Sequence, residues 1–133
     1  MSQDMQQLAD MIAIRSILDE YCLRLEINPF DEWLELFSDD TVYEVFRKEL
    51  RGLDDVKAML SKAPHGVHLP GALRIELDGN VATTIQNYVF VGEDPTYSNQ
   101  GWYYRTLMRT DGGWKITHTK VKIQKQVKPA ITT

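Results

Sequence analysis

The chain has 133 residues, 43% of them hydrophobic and 26% charged, with a formal net charge of −4 at pH 7. This length predicts one domain over residues 1–133, and the composition is too apolar for intrinsic disorder. The net charge argues against nucleic acid as a partner, because the phosphates would be repelled. The lysines near the end of the chain alternate with apolar residues, which indicates an edge strand with solvated lysines.

The single cysteine, Cys22, excludes an internal disulfide and a cysteine-based zinc site. No apolar run approaches the roughly 20 residues that a membrane span needs. The first four residues, Met1 to Asp4, lack the basic start and apolar stretch of a signal peptide. We therefore expect a cytoplasmic protein.

The first predicted element is an amphipathic helix over residues 4–25, because apolar side chains recur there at three- and four-residue steps. The recurring residues are Leu8, Met11, Ile14, Leu18, Tyr21 and Leu25. Pro29 ends this helix, since its ring disfavours helical geometry at Asn28. A second short helix is predicted over residues 30–37 and a strand over residues 41–46.

A third helix is predicted over residues 53–62, followed by four strands over residues 67–77, 81–91, 102–110 and 114–125. Asp78-Gly79-Asn80 and Asp111-Gly112-Gly113 are typical hairpin turns, so these strands should form an antiparallel meander. Only the N-terminal helices can cover its apolar face. The pattern therefore predicts an α+β fold in which a curved antiparallel sheet wraps around these helices and leaves an open pocket.

The histidines give two candidate sites, a metal site and a catalytic base. His65 and His68 are three residues apart, in a loop and at a strand start, with no third ligand nearby. Two histidines alone rarely hold zinc, so we predict no metal site. His68 at the mouth of the pocket could act as a base, or it could be a strand-edge histidine bonded to the backbone.

Two residues of the first helix bear on that choice. Tyr21 lies within the apolar stripe, so its hydroxyl needs a polar partner in the core. Glu26 lies in the last turn, where the helix dipole disfavours a carboxylate. A histidine partner would relieve a buried Glu26, although an exposed Glu26 is equally consistent with the sequence.

Four segments of the chain together resemble the NTF2-like superfamily, and in particular its SnoaL-like and scytalone-dehydratase-like branch. They are Ile14–Tyr21, Trp33–Tyr43, Gly66–Ile75 and Arg109–Ile116. The resemblance implies a cone-shaped α+β fold with an internal pocket for a small molecule. It also implies a homodimer or homotrimer, since sheets of this family commonly pair face to face.

The resemblance further implies a catalytic group. In lyases of this branch, such as scytalone dehydratase, hexachlorocyclohexane dehydrochlorinase and bile-acid dehydratase, a histidine at that strand start removes a proton and an acid ending the first helix orients it. These roles fall on His68 and Glu26, and a tyrosine that the bile-acid dehydratase uses falls on Tyr21. The chain departs from the pattern, because those lyases have Asp at the position of Glu26. It also has no clear equivalent, over residues 81–91, of the second histidine of scytalone dehydratase.

Further pocket residues follow from the last hairpin. A two-residue turn at Asp111-Gly112 would place Arg109 opposite Trp114, Leu107 opposite Ile116 and Arg105 opposite His118. Tyr103 and His118 would then share the covered face and become candidate substrate contacts. Tyr43 joins them among the aromatic residues around the presumed mouth, and these residues indicate a planar or aromatic ligand.

Three functions remain open, because the fold hosts all of them and does not choose. The Tyr21, Glu26 and His68 match favours a cofactor-independent lyase of the dehydratase type, acting on a small aromatic or cyclic substrate. No metal or organic cofactor is expected, since elimination from an activated carbon requires only a base, an acid and a dry site. The alternatives are an isomerase or hydrolase, and a non-catalytic binding or assembly protein.

Overall fold

The computed structural model describes residues 2–128 and begins with a long helix, α1 (Gln3–Ile27). The Ser2 side chain caps it by accepting the main-chain N–H of Met5 at 3.2 Å. The helix ends at Ile27, with Asn28 as its C-cap before Pro29, as predicted. Two shorter helices follow, α2 (Phe30–Leu34) and α3 (Gly52–Leu60). No helix within residues 2–128 combines the length and apolarity that a membrane crossing requires.

The region after α2 differs from the prediction. The helix ends at Leu34, and Phe37 already begins strand β1 (Phe37–Val45). Its start is fixed by the last strand, β6 (Gly113–Val127), whose Ile116 donates its main-chain N–H to the carbonyl of Leu36 at 2.9 Å. A short strand β2 (Lys48–Arg51) pairs with β1 and was not predicted. Its turn residues, Phe46 and Arg47, have positive φ angles without the Gly or Asn that usually signals such a turn.

Six strands form one mixed sheet in the order β2-β1-β6-β5-β4-β3. The four strands of the predicted meander are antiparallel neighbours: β3 (Gly66–Asp78), β4 (Val81–Gly92), β5 (Ser98–Thr110) and β6 (Gly113–Val127). Strand β1 pairs with β6 in parallel, which was not predicted. The lysine-bearing β6 is therefore an internal strand, and the expectation of an edge strand was wrong.

The inner face of the sheet packs on α1, through Ile14, Leu18, Tyr21 and Cys22, each no more than 4% exposed. Near the start of α1, the buried position is taken by Asp10, whereas the predicted Leu8 is 60% exposed. Asp10 accepts hydrogen bonds from Arg109 at 2.6 Å and Trp114 at 3.4 Å. These bonds lower the pKa of its carboxyl group, the Arg109 bond most of all, and they join α1 to the β5–β6 hairpin. Residues 129–133 lie outside the described part of the chain.

Candidate active site

A cavity of about 130 Å³ lies between the C-terminal half of α1, α2 and the inner face of the sheet. An engineered cavity of roughly 150 Å³ in another protein is large enough for benzene, so this cavity has room for a ligand of about one aromatic ring. The walls are mainly aromatic and carry a few polar groups. They include Tyr21, Tyr43, His68, Tyr88, Phe90 and Tyr103.

Two tyrosine hydroxyls meet in this cavity. The Tyr21 hydroxyl, predicted to need a polar partner in the core, forms a short hydrogen bond with the hydroxyl of Tyr43. The Trp33 indole N–H donates to the main-chain carbonyl of Tyr21 at 3.1 Å and holds α2 against α1. Burial raises the pKa of both phenols, so they stay protonated at neutral pH and can donate hydrogen bonds.

His68 lies near the start of β3, on the wall of the same cavity. Its ring centroid is 4.7 Å from that of Phe90, and its side chain is 17% exposed. The Nδ1 atom is buried and has no hydrogen-bond partner among residues 2–128. Burial, followed by the positive charge of Arg105, lowers the pKa of His68 to about 4, so the imidazole is neutral at pH 7.

Glu26 reaches the same strand, but its contact is not the one expected. Its Oε1 accepts the main-chain N–H of His68 at 2.5 Å, while the distance from Oε1 to the ring Nδ1 is 3.8 Å. The expected bond to the imidazole is therefore not formed. A glutamate is one methylene longer than the aspartate of the related lyases, and here its carboxylate reaches the backbone beside the ring.

No role was predicted for Arg105, although its position on the covered face was. The side chain is 2% exposed, and its Nη1 donates to Gln86 Oε1 at 3.1 Å. Its Cζ lies 4.2 Å from the ring centroid of Tyr21 and 3.9 Å from that of Tyr103. The signal that could have identified it is a charged residue at an inward position of a strand, between Tyr103 and Leu107.

Tyr103 lines the cavity, as predicted, and its ring stacks on that of Tyr88 at 4.4 Å. The Tyr88 hydroxyl donates to Asn99 Oδ1 at 2.6 Å. Tyr88 and Asn99 are cavity residues that the sequence analysis missed. Asn99 gave no signal, because the predicted strand began at residue 102, whereas β5 begins at Ser98.

His118 lies on the opposite face of the sheet, away from these residues. The hairpin turn is as predicted, since Arg109 pairs with Trp114 and Leu107 with Ile116. The register then shifts, so that Thr106 pairs with His118 and Arg105 with Thr119. This bulge reverses the inward–outward alternation, and the expected pairing of Arg105 with His118 was wrong. His118 instead contacts Glu44 through Nε2, at 2.9 Å.

The structure thus brings Tyr21, Tyr43, His68 and Tyr103 to one cavity, with Glu26 bonded to the backbone at its rim. It does not bring His118 there. Within the described part of the chain, no three His, Cys, Asp or Glu side chains are grouped so that they could hold a metal ion. The chemistry that this arrangement supports is proton transfer by a neutral imidazole beside two phenolic donors.

Several solved structures have the same fold as this chain. A hexachlorocyclohexane dehydrochlorinase, LinA type 2, is 16% identical with a TM-score of 0.84, and the match covers 96% of this chain and 94% of that one. A candidate scytalone dehydratase from Novosphingobium aromaticivorans is 20% identical with a TM-score of 0.83, covering 95% and 91%. A Mycobacterium tuberculosis protein of unknown function is 24% identical with a TM-score of 0.82, covering 94% and 78%.

At these identities the likeness shows the fold alone, and no curated protein matches the chain significantly. The family follows from a different comparison, in which residues 6–120 match the model of the SnoaL-like domain. This match includes nearly all of α1, both shorter helices, most of the residues that line the cavity and most of the sheet. The chain belongs to the SnoaL-like family, within the NTF2-like fold.

Proposed function

We propose that the protein is a cofactor-independent lyase that eliminates a leaving group from a small aromatic or cyclic substrate, with His68 as the general base. One observation carries the proposal: a buried imidazole, whose Nδ1 has no hydrogen-bond partner in the described part of the chain, shares a ring-sized cavity with the Tyr21–Tyr43 hydroxyl pair. The structural likeness to a hexachlorocyclohexane dehydrochlorinase supports the same class of reaction.

In the proposed reaction, His68 removes a proton from a carbon activated by a neighbouring carbonyl or electron-rich ring. The electron pair of the broken C–H bond forms a C=C bond, and the leaving group departs from the adjacent carbon with its own pair. Tyr21 donates a hydrogen bond to the oxygen on which charge develops. The imidazolium then returns its proton to the leaving group, so the enzyme ends in its starting state.

Glu26 has a positioning role in this proposal. Its carboxylate fixes the strand that carries His68 through the main-chain N–H, and 3.8 Å separates it from the imidazole Nδ1. Catalytic hydrogen bonds are often long in a free enzyme and tighten in the substrate complex. A small rotation of the ring would allow Nδ1–H to donate to Glu26 and would make Nε2 the basic nitrogen.

A non-catalytic binding protein is the second candidate. It is favoured by the contact of Glu26, whose carboxylate bonds to the main chain and not to the imidazole of His68. Without a carboxylate bonded to its ring, His68 is a weak base, since burial and Arg105 lower its pKa to about 4. A ligand held by tyrosine hydroxyls and aromatic walls would not need the histidine to accept a proton. The two candidates therefore differ in whether turnover exists and requires the imidazole.

The test is elimination by the purified protein from a panel of cyclic β-hydroxy ketones, with chlorinated cyclohexanes, which carry no activating carbonyl, as a comparison, followed by product chromatography. We expect turnover by the unaltered protein and a loss of about 10²–10⁴-fold in His68→Ala, the usual contribution of a general base. His118→Ala is the matched control, because His118 lies outside the cavity, and it should keep full turnover. A His68→Ala variant as active as the parent would exclude this mechanism, and ligand binding without any turnover would favour the binding protein.

We also propose that the protein is a homodimer or homotrimer that assembles through the outer face of the sheet. The support is an aliphatic patch on β3 and β4, made of the cross-strand pairs Val67–Val91 and Leu69–Val89. These four side chains are between 38% and 54% exposed, which is unusual for neighbouring aliphatic residues on a sheet.

A further inference from the structure

The guanidinium of Arg105 is buried without a neutralising carboxylate among residues 2–128. None of the ion pairs in this part of the chain includes Arg105, and its Nη1 donates a hydrogen bond to the neutral amide of Gln86. Two of its nitrogen atoms, Nε and Nη2, are buried without a hydrogen-bond partner among these residues. A buried charge without a counter-ion costs several kcal/mol of stability in general, so its retention calls for a reason.

The position of the guanidinium supplies that reason. It lies between the rings of Tyr21 and Tyr103, at 4.2 Å and 3.9 Å from their centroids, and both rings form the cavity wall. The positive charge is thus directly behind the wall that carries the Tyr21–Tyr43 hydroxyl pair. In such a desolvated place a positive charge favours a nearby anion far more than it would in water.

We propose that Arg105 makes the Tyr21–Tyr43 hydroxyl pair a binding site for oxyanions, so that the cavity selects ligands whose ring or carbonyl oxygen is, or becomes, negatively charged. Arg105 is a positioning residue here, because it acts through Tyr21 and Tyr43 and does not line the cavity. The inference rests on the proposed function in one respect, since it names phenolic and enolisable carbonyl compounds as the substrate class. Chlorinated alkanes, which develop no charge on oxygen, are correspondingly disfavoured.

The other groups around the guanidinium fit an anion site. Burial raises the pKa of Tyr21 and Tyr43, and the charge of Arg105 opposes that rise, so the hydroxyls donate more readily than burial alone would allow. Arg105 also helps to keep His68 unprotonated. The titratable side chains whose pKa responds to Arg105 come from α1, β1, β3 and β5 and are all neutral at pH 7: Tyr21, Cys22, Tyr43, His68 and Tyr103.

The test uses 4-nitrophenol, a single-ring acid whose anion absorbs visible light. We expect the protein to bind the phenolate at least about tenfold more tightly than the phenol, because the bound anion would accept hydrogen bonds from the Tyr21–Tyr43 hydroxyl pair and be attracted by the guanidinium, and both effects lower the pKa of a phenol. Absorbance titration of the bound probe against pH measures this ratio. Arg105→Met should abolish the preference, Arg105→Lys should retain part of it, and Arg74→Met, an exposed arginine on β3, should leave it unchanged.

Gln86→Glu provides a second test that keeps the arginine in place. Glutamate has almost the same shape as glutamine, so this change places a carboxylate against Nη1 of Arg105. It should remove the phenolate preference even if Arg105→Met does not fold. A folded Arg105→Met or Gln86→Glu protein with the parent's preference would overturn the proposal. So would a parent that binds neither form, or that prefers the phenol.

The results expected if the lyase proposal fails differ from those expected if the role of Arg105 is wrong. His68→Ala removes the base but not the guanidinium, so its preference for the phenolate should persist whether or not the parent shows turnover. A protein without turnover but with an Arg105-dependent phenolate preference would be an oxyanion-binding protein, and the role of Arg105 would stand.

Discussion

At the scale of single residues, the groups that surround the His68 ring determine its protonation state. Phe90 covers one side of it, and the charge of Arg105 opposes its protonation. Glu26 is close, yet its carboxylate is bonded to the main chain and not to the imidazole. The neutral form is therefore the stable one in the folded protein, and protonation has to be driven against both desolvation and charge.

This environment makes stability depend on pH between about 4 and 6.5, the folded pKa and the ordinary pKa of His68. In that window the unfolded chain binds the proton more tightly, so the free energy of unfolding falls as the pH falls. The loss attributable to His68 should approach about 3 kcal/mol at pH 4 and vanish above pH 6.5.

Urea unfolding of the parent and of His68→Gln at pH 7 and pH 4 measures this contribution. The variant should lose less stability on acidification than the parent. Equal losses in the parent and in His68→Gln would mean that the ring titrates normally and is not desolvated.

At the scale of elements, the curvature of the sheet arises where β6 carries extra residues. The β5–β6 register shifts twice, between Thr106 and Leu107 and between Gln100 and Gly101. Bulges of this kind bend a strand and increase its twist, which helps the sheet to curve around α1. At the second shift the backbones approach so closely that only glycine fits: a Cβ on Gly101 would lie 2.0 Å from the Lys122 carbonyl oxygen.

Gly101→Ala should therefore destabilise the protein by about 1–3 kcal/mol, the usual cost of overpacking. The clash is with backbone, which cannot move aside as a flexible side chain would. Gly112→Ala is the control, because a Cβ there meets only Thr110 Oγ1, at 3.9 Å. Thermal unfolding of both variants gives the comparison, and equal melting temperatures would show that the bulge relaxes without cost.

At the scale of the whole molecule, the sheet has two unlike faces. The inner face carries the aromatic cavity and packs on α1, whereas the outer face exposes the aliphatic patch of β3 and β4. Removing that patch from water on association would be favourable, at roughly 25 cal/mol per Å² of apolar surface buried. A second copy of the chain is the partner that the family resemblance leads us to expect.

We predict that Val89→Lys shifts the protein from an oligomer toward the monomer, because each copy would bring a positive charge into the contact. Analytical ultracentrifugation over a range of concentrations measures the change. Gln7→Lys, exposed on α1 and away from the outer face of the sheet, is the control and should leave the assembly intact. A parent protein that sediments as a monomer at every concentration would contradict the prediction.

Local patterns in the sequence determined α1, α3, the start of α2, the four antiparallel strands, the turn at Asp111-Gly112 and the inward positions of Tyr21 and Tyr103, but they left open whether His68 enters the cavity. Helix and strand periodicity carry this information, since burial follows the 3.6- and 2-residue repeats. The family resemblance predicted a contact between Glu26 and the imidazole of His68, whereas the carboxylate bonds to the main-chain N–H beside the ring.

Tertiary structure alone decided the rest. The parallel pairing of β1 with β6 and the bulge that turns His118 outward depend on contacts between segments far apart in the chain, which leave no local pattern. The same is true of Arg105. An inward arginine is visible in the sequence, but whether a carboxylate neutralises it depends on which strands become neighbours, and here they give it only Gln86 and two tyrosine rings.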